Sequence, residues 1–209
     1  MNENTRKGGW LLICGSLMCA VTMGLHPTGG DARYLSKMAP VFMATHYLAI
    51  IALQILIAGF VNVKRLLRSD TAFVFTITGF SAAIVAGAIN GIALPLFASK
   101  FPAPDAEQER MVYVVIKYCL TLNKAFDYVM TGSLCVAIAM WSVAILQQKL
   151  KAAWVAYAGL LLSFLIVVSF MAGFVFTSLS GFRTLSAGLI IWLILLGTAM
   201  VRGKLHDNS

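Results

Sequence analysis

The sequence predicts an all-α polytopic membrane protein, a six-transmembrane-helix bundle forming one integral-membrane domain over residues 1–209, with the N- and C-termini cytoplasmic. Three observations predict it. First, 60% of the residues are hydrophobic and only 11% are charged, with a mean hydropathy of +0.86. A water-facing domain carries roughly 25% charged residues, so most of this surface must meet lipid. That composition argues against a soluble enzyme, a nucleic-acid binder, a disulfide scaffold or a disordered tail. Second, six stretches are apolar enough and long enough to cross a hydrocarbon core of about 30 Å, which takes about 20 residues. Third, the basic residues alternate from loop to loop in a way that orients the chain.

The spans are 9–25, 41–62, 71–98, 112–147, 153–178 and 183–201. The first follows Arg6 and Lys7 and is read as a retained helix, because no convincing small-x-small cleavage site follows it. His26 to Pro40 is rich in Gly and Pro, Lys64 to Asp70 is charged, and Lys100 to Arg110 mixes Pro with acids. Gln147 to Lys151 is basic, and Thr177 to Phe182 is short and polar. None of these linkers is long enough to separate two domains.

Counting alternate loops, one side holds Arg6, Lys7, Lys64, Arg65, Arg68, Lys149, Lys151, Arg202 and Lys204 against Glu3, Asp70 and Asp207, nine cations less three anions, or +6. The other holds Arg33, Lys37, Lys100, Arg110 and Arg183 against Asp31, Asp105, Glu107 and Glu109, or +1. Lys117, Lys124 and Asp127 lie within a span and complete the net charge of +8. Lysine and arginine stay cytoplasmic, so the first side faces the cytoplasm. The basic balance is topology rather than a nucleic-acid footprint. Trp10, Trp141 and Trp154 near the cytoplasmic ends, and Tyr34, Tyr47, Tyr113 and Tyr118 near the outer ends, match an interfacial aromatic belt.

The four cysteines, Cys14, Cys19, Cys119 and Cys135, lie within spans at no metal-ligand spacing and read as small hydrophobes. A Cys19–Cys119 bridge is conceivable on depth alone.

Polar residues inside apolar helices are costly without partners and so carry information. Counted from the cytoplasmic ends at 1.5 Å per residue, His26, His46, Asn90, Asp127 and Arg183 all fall about 26 to 30 Å up. Lys124 lies about 5 Å further. Five helices therefore place polar residues in one layer. The fourth span adds Lys117, Thr121, Lys124, Tyr128, Thr131 and Cys135 within a wedge of about 80°, with Asp127 one i,i+3 step from Lys124. Two readings stand. The layer is the headgroup end of the bundle, with snorkelling lysines, or it lines an outward-facing cavity that binds a small ligand through His26, His46, Asn90, Lys117, Lys124, Asp127, Tyr128 and Arg183. Gly87 and Gly91 form a small-xxx-small pair for close helix crossing, and Pro95 bends the third span.

The first span ends in Gly24-Leu25-His26-Pro27 followed by Thr28-Gly29-Gly30-Asp31, and the second carries Ala44-Thr45-His46-Tyr47 near its start. Over the first third of the chain this resembles small uncharacterised bacterial multi-pass membrane proteins in which His-Pro closes the first helix and a histidine opens the second. The resemblance implies the bacterial plasma membrane and no particular activity. Two histidines at one depth also offer imidazoles to a haem iron or a transition metal, with His26 and His46 as ligands. No Gly-rich phosphate loop, GxSxG or HExxH is present, so catalysis is not expected, although Lys124 with Asp127 is an acid–base pair on paper. The expected function is a small-ligand binding or transporter-like module. A membrane-embedded haem or metal redox protein and a structural subunit of a membrane complex are the alternatives. Membrane lipid is the expected surrounding partner, a homodimer is possible, and nucleic acid is not expected.

Overall fold

A computed structural model describes residues 3–27, 31–101 and 104–205. It is all-helical over those residues: α1 (Glu3–Leu25), α2 (Ala32–Leu67), α3 (Asp70–Ala88) running through a π-helical turn (Ile89–Ala93) into α4 (Leu94–Ala98), α5 (Ala106–Gln147), α6 (Ala153–Met171) and α7 (Leu179–Val201). With α3 to α4 counted as one span, six helices are long and apolar enough to cross a membrane. Each packs on its neighbours in chain order, and α7 returns to α1, which closes the ring.

Several boundaries move from the sequence reading. α2 begins at Ala32, so the stretch before Pro40 is helical rather than linker. Asp31 caps it, its carboxylate accepting from the Tyr34 amide at 2.8 Å. Leu35 and Phe42 then bury against Leu94 and Ala98 of α4, which holds the helix on both sides of Pro40. α5 begins at Ala106 with a capping box between Asp105 and Gln108. Its 42 residues make a rod of about 63 Å, twice a hydrocarbon core. α6 ends at Met171, short of 178, and a turn with Gly173 at φ 80° leads into α7. Pro95 lacks an amide for the α-helical ladder, and the π turn before it takes up the mismatch, with Leu94 N–H donating to the Ile89 carbonyl.

Glycines set the tightest crossings. A Cβ on Gly9 of α1 would lie 2.6 Å from the Gly197 carbonyl oxygen of α7, so the two backbones touch. Gly9 lies near the start of α1 and Gly197 near the end of α7, which puts both chain ends at one end of the bundle.

The core centres on Trp141, fully buried, whose indole N–H donates to Thr76 Oγ1 at 3.0 Å. Trp10 and Trp154 are exposed, as a belt requires, but Trp141 is a core residue. Trp192, which the periodicity leaves unexplained, is buried and donates to the Val155 carbonyl at 3.2 Å. All four cysteines are free, so the Cys19–Cys119 bridge does not form.

Candidate functional site

At the end of the bundle opposite the termini, a cavity of about 320 Å³ opens between α1, α2, α3, α5 and α7. Its floor is apolar, with Leu53, Leu56, Phe80, Leu134 and Leu193. Its polar groups include His26, His46, the Asn123–Asp127 pair, Thr22, Thr45, Thr177, the α7 cap Ser178 and Ser186 of α7.

The two histidines stand together. His26 follows the last turn of α1, and His46 sits two turns beyond Ala39 on α2. Their ring centres are 4.9 Å apart in an edge contact at 66°. His26 Nδ1 lies 2.9 Å from the Pro27 carbonyl and His46 Nδ1 2.8 Å from the Phe42 carbonyl. A carbonyl oxygen only accepts, so each Nδ1 donates its hydrogen and each neutral ring keeps its lone pair on Nε2. Burial pushes the His26 imidazole below its ordinary range, against the opposing pull of the Pro27 carbonyl, and the Arg183 guanidinium pushes the same way as burial. Burial and Arg183 thus both disfavour the charged ring.

His46 is fixed more tightly. Its ring stacks on Phe42 at 6.5 Å and 8°. Gly91 also abuts it: a Cβ there would collide with His46 Cβ, Cγ and Cδ2. Gly87 is 3.8 Å from the same ring on the same measure, in ordinary contact. The Gly87/Gly91 pair, a packing motif in the sequence, therefore gives α3 the room to pass over a histidine.

Across the cavity, Asp127 is buried at 6% exposure and accepts from Asn123 Nδ2 at 2.7 Å. No Lys124–Asp127 ion pair forms; the ion pairs among the described residues are Lys7–Glu3 and Lys64–Asp70. The structure thus brings His26, His46 and Asp127 to one cavity and leaves the other expected site residues off its wall. Lys117, Lys124 and Tyr128 are exposed. Lys117 lies over the Tyr113 ring at 5.2 Å, and Tyr128 meets Phe170 of α6 edge-on. Arg183 is exposed but acts electrostatically on His26. Asn90 lies on the π turn, half-buried, with its carbonyl oxygen unpartnered.

The reason is azimuth. On α5 the cavity face is Asn123, Asp127, Met130 and Leu134, and the stripe from Lys117 to Cys135 is rotated about 110° from it at 100° per residue. The lower stripe is the α6 seam: Cys135 Sγ donates to the Ser163 carbonyl at 3.5 Å, and Ser163 Oγ donates to the Cys135 carbonyl at 3.1 Å. Asn123 is the site residue that sequence reasoning missed. Its signal is the i,i+4 spacing to Asp127, where an amide and a carboxylate meet on one helix face.

A haem does not fit the histidine pair. At a metal–nitrogen distance of about 2.0 Å, axial imidazoles on opposite faces have centres roughly 6 Å apart with the macrocycle between them. These two rings touch each other instead.

Comparison with protein families, curated proteins and solved structures finds no match to this chain.

Proposed function

We propose that this chain is a bacterial plasma-membrane protein, with both termini cytoplasmic, whose outward-opening cavity binds a small, mainly apolar ligand carrying one polar end, as a binding or transporter-like module. The observation that carries the reading is the cavity itself. It has an apolar floor, two oriented imidazoles on one wall and, on another, a buried carboxylate paired with a half-buried amide. At about 320 Å³ it sits at the small end of the range for ligand pockets, about 300–1,000 Å³. The +6 charge on the loops at the termini end supports the orientation. The interruption of one span at the π turn and Pro95 supports mobility beside the cavity.

The test is thermal unfolding of the detergent-purified protein against a panel of single-ring amphiphiles bearing an amine, amide or hydroxyl head. At least one is expected to raise the Tm of the wild type, because a ligand held only by the folded state stabilises it. Ala83→Phe, which fills the cavity above Phe80, is expected to abolish the shift, and Asp127→Ala to reduce it. Lys124→Ala, on the exposed face, is expected to leave it intact. If no compound distinguishes the wild type from Ala83→Phe, the cavity is not a binding site.

A further inference from the structure

We propose that His26 and His46 form an open site for a divalent transition-metal ion, bound through their Nε2 atoms at the polar end of the cavity. The proposal rests on the reading of this cavity as accessible to ligands, and names an ion as part of what it takes.

Four observations carry it. Both Nδ1 atoms are committed to backbone carbonyls, at 2.9 Å and 2.8 Å. That is the outer-shell arrangement that fixes the tautomer and orients a ligating imidazole. Neither Nε2 has a hydrogen-bond partner among the described residues, so both lone pairs are uncommitted. The spacing also suits one shared ion. With a metal–nitrogen distance of about 2.0 Å, ring centres of two imidazoles on one ion lie roughly 4.5 Å apart at a right angle and roughly 5.1 Å apart at the tetrahedral angle. The observed separation is 4.9 Å. Finally, His46 is confined by the Phe42 ring, which lies parallel to its own, and by the close approach of Gly91, so its ring is placed before an ion binds.

The donor set selects the metal. Imidazole nitrogens suit zinc, copper, nickel or cobalt, whereas calcium and magnesium require oxygen cages. No group of three or more His, Cys, Asp or Glu side chains is placed to hold a metal among the described residues, so two nitrogens are the protein's share. Water or an incoming ligand must complete the shell. Such a site exchanges its ion and offers open positions toward the cavity, as a site for binding or passage requires and a closed structural site does not.

The experiment uses the full chain, without a purification tag of histidines and with His206→Ala, titrated in detergent with Co2+ alone and followed by its visible d–d absorption and by calorimetry. One equivalent is expected to bind, with the spectrum of a nitrogen-ligated ion, and Zn2+ to displace it. His26→Ala and His46→Ala are each expected to weaken binding by more than roughly tenfold, the least that even outer-shell changes cost. The double variant is expected to abolish it, and Lys124→Ala, on the exposed face of α5, to leave it unchanged. His26 lies beyond the end of α1, so its variant reports even if His46→Ala fails to fold. No saturable Co2+ binding, or binding that survives the double substitution, overturns the proposal. Absent metal binding with an amphiphile response still sensitive to Ala83→Phe overturns the metal site alone. Metal binding with no such response leaves the ion and removes the apolar ligand.

Discussion

Gly91→Val is expected to cripple the cavity's polar end. No side chain can be added at Gly91 without occupying the position of the His46 ring. Either His46 turns away from the Phe42 carbonyl, or α3 separates from α2 along the π turn. Overpacking of this kind costs about 1–3 kcal/mol where the neighbours can shift. Here the neighbour is a ring whose Nδ1 is already held by the Phe42 carbonyl, so the upper part of that range applies. The displaced imidazole would also lose its contact with His26, and Co2+ or amphiphile binding should fall with it. Gly87→Ala is the matched control. It makes only ordinary contact with His46 at 3.8 Å, and replacing a helical glycine with alanine gains up to about 1 kcal/mol. Thermal unfolding and Co2+ titration of the two variants, side by side, check the contrast. If Gly91→Val is as stable as Gly87→Ala and still binds, α3 does not hold His46 in place.

Trp141→Ala is expected to be the most destabilising single change in the core. The indole is fully buried, stacks on Phe60 of α2 at 5.9 Å and 28°, and donates to Thr76 of α3. It therefore joins three helices below the cavity floor. Truncating a buried tryptophan costs about 3–5 kcal/mol, because the void is only partly closed by relaxation. Trp141→Phe keeps most of the volume and loses the hydrogen bond. Thr76 Oγ1 still donates to the Ala72 carbonyl at 2.8 Å, so that variant should cost only about 1 kcal/mol. Unfolding monitored by circular dichroism in one detergent measures both. Equal loss in the two variants would place the energy in the hydrogen bond rather than in the packing.

The depth of the polar residues was legible in the sequence, and their direction was not. Counting rise along each apolar run needs no knowledge of neighbours, so His26, His46 and Asp127 were expected at one level and meet in one cavity. Which face of α5 turns inward depends on where α6 docks. The polar stripe from Lys117 to Cys135 has two environments: exposed lysines above and a hydrogen-bonded seam with Ser163 below. A helical wheel shows such a stripe without saying what meets it. The same limit made Trp141 look interfacial, since only the partners Phe60 and Thr76 show it to be core. The helix before Pro40 was hidden for a different reason. Gly and Pro content argued for a linker, whereas the Asp31 cap and the burial of Leu35 against α4 decide for helix. Thr28, Gly29 and Gly30 of the His-Pro motif lie outside the described residues.

Thiol accessibility reports whether the cavity opens outward. Ser186 of α7 lines the cavity about two turns below the start of the helix. In a background with Cys14, Cys19, Cys119 and Cys135 replaced by alanine, Ser186→Cys is exposed in intact cells to a membrane-impermeant methanethiosulfonate, with Lys151→Cys as the reference for the opposite side. Ser186→Cys is expected to react from outside, Ala83→Phe to slow that reaction, and Lys151→Cys to react only after permeabilisation. Reaction of Lys151→Cys from outside, with Ser186→Cys silent, would contradict an outward opening.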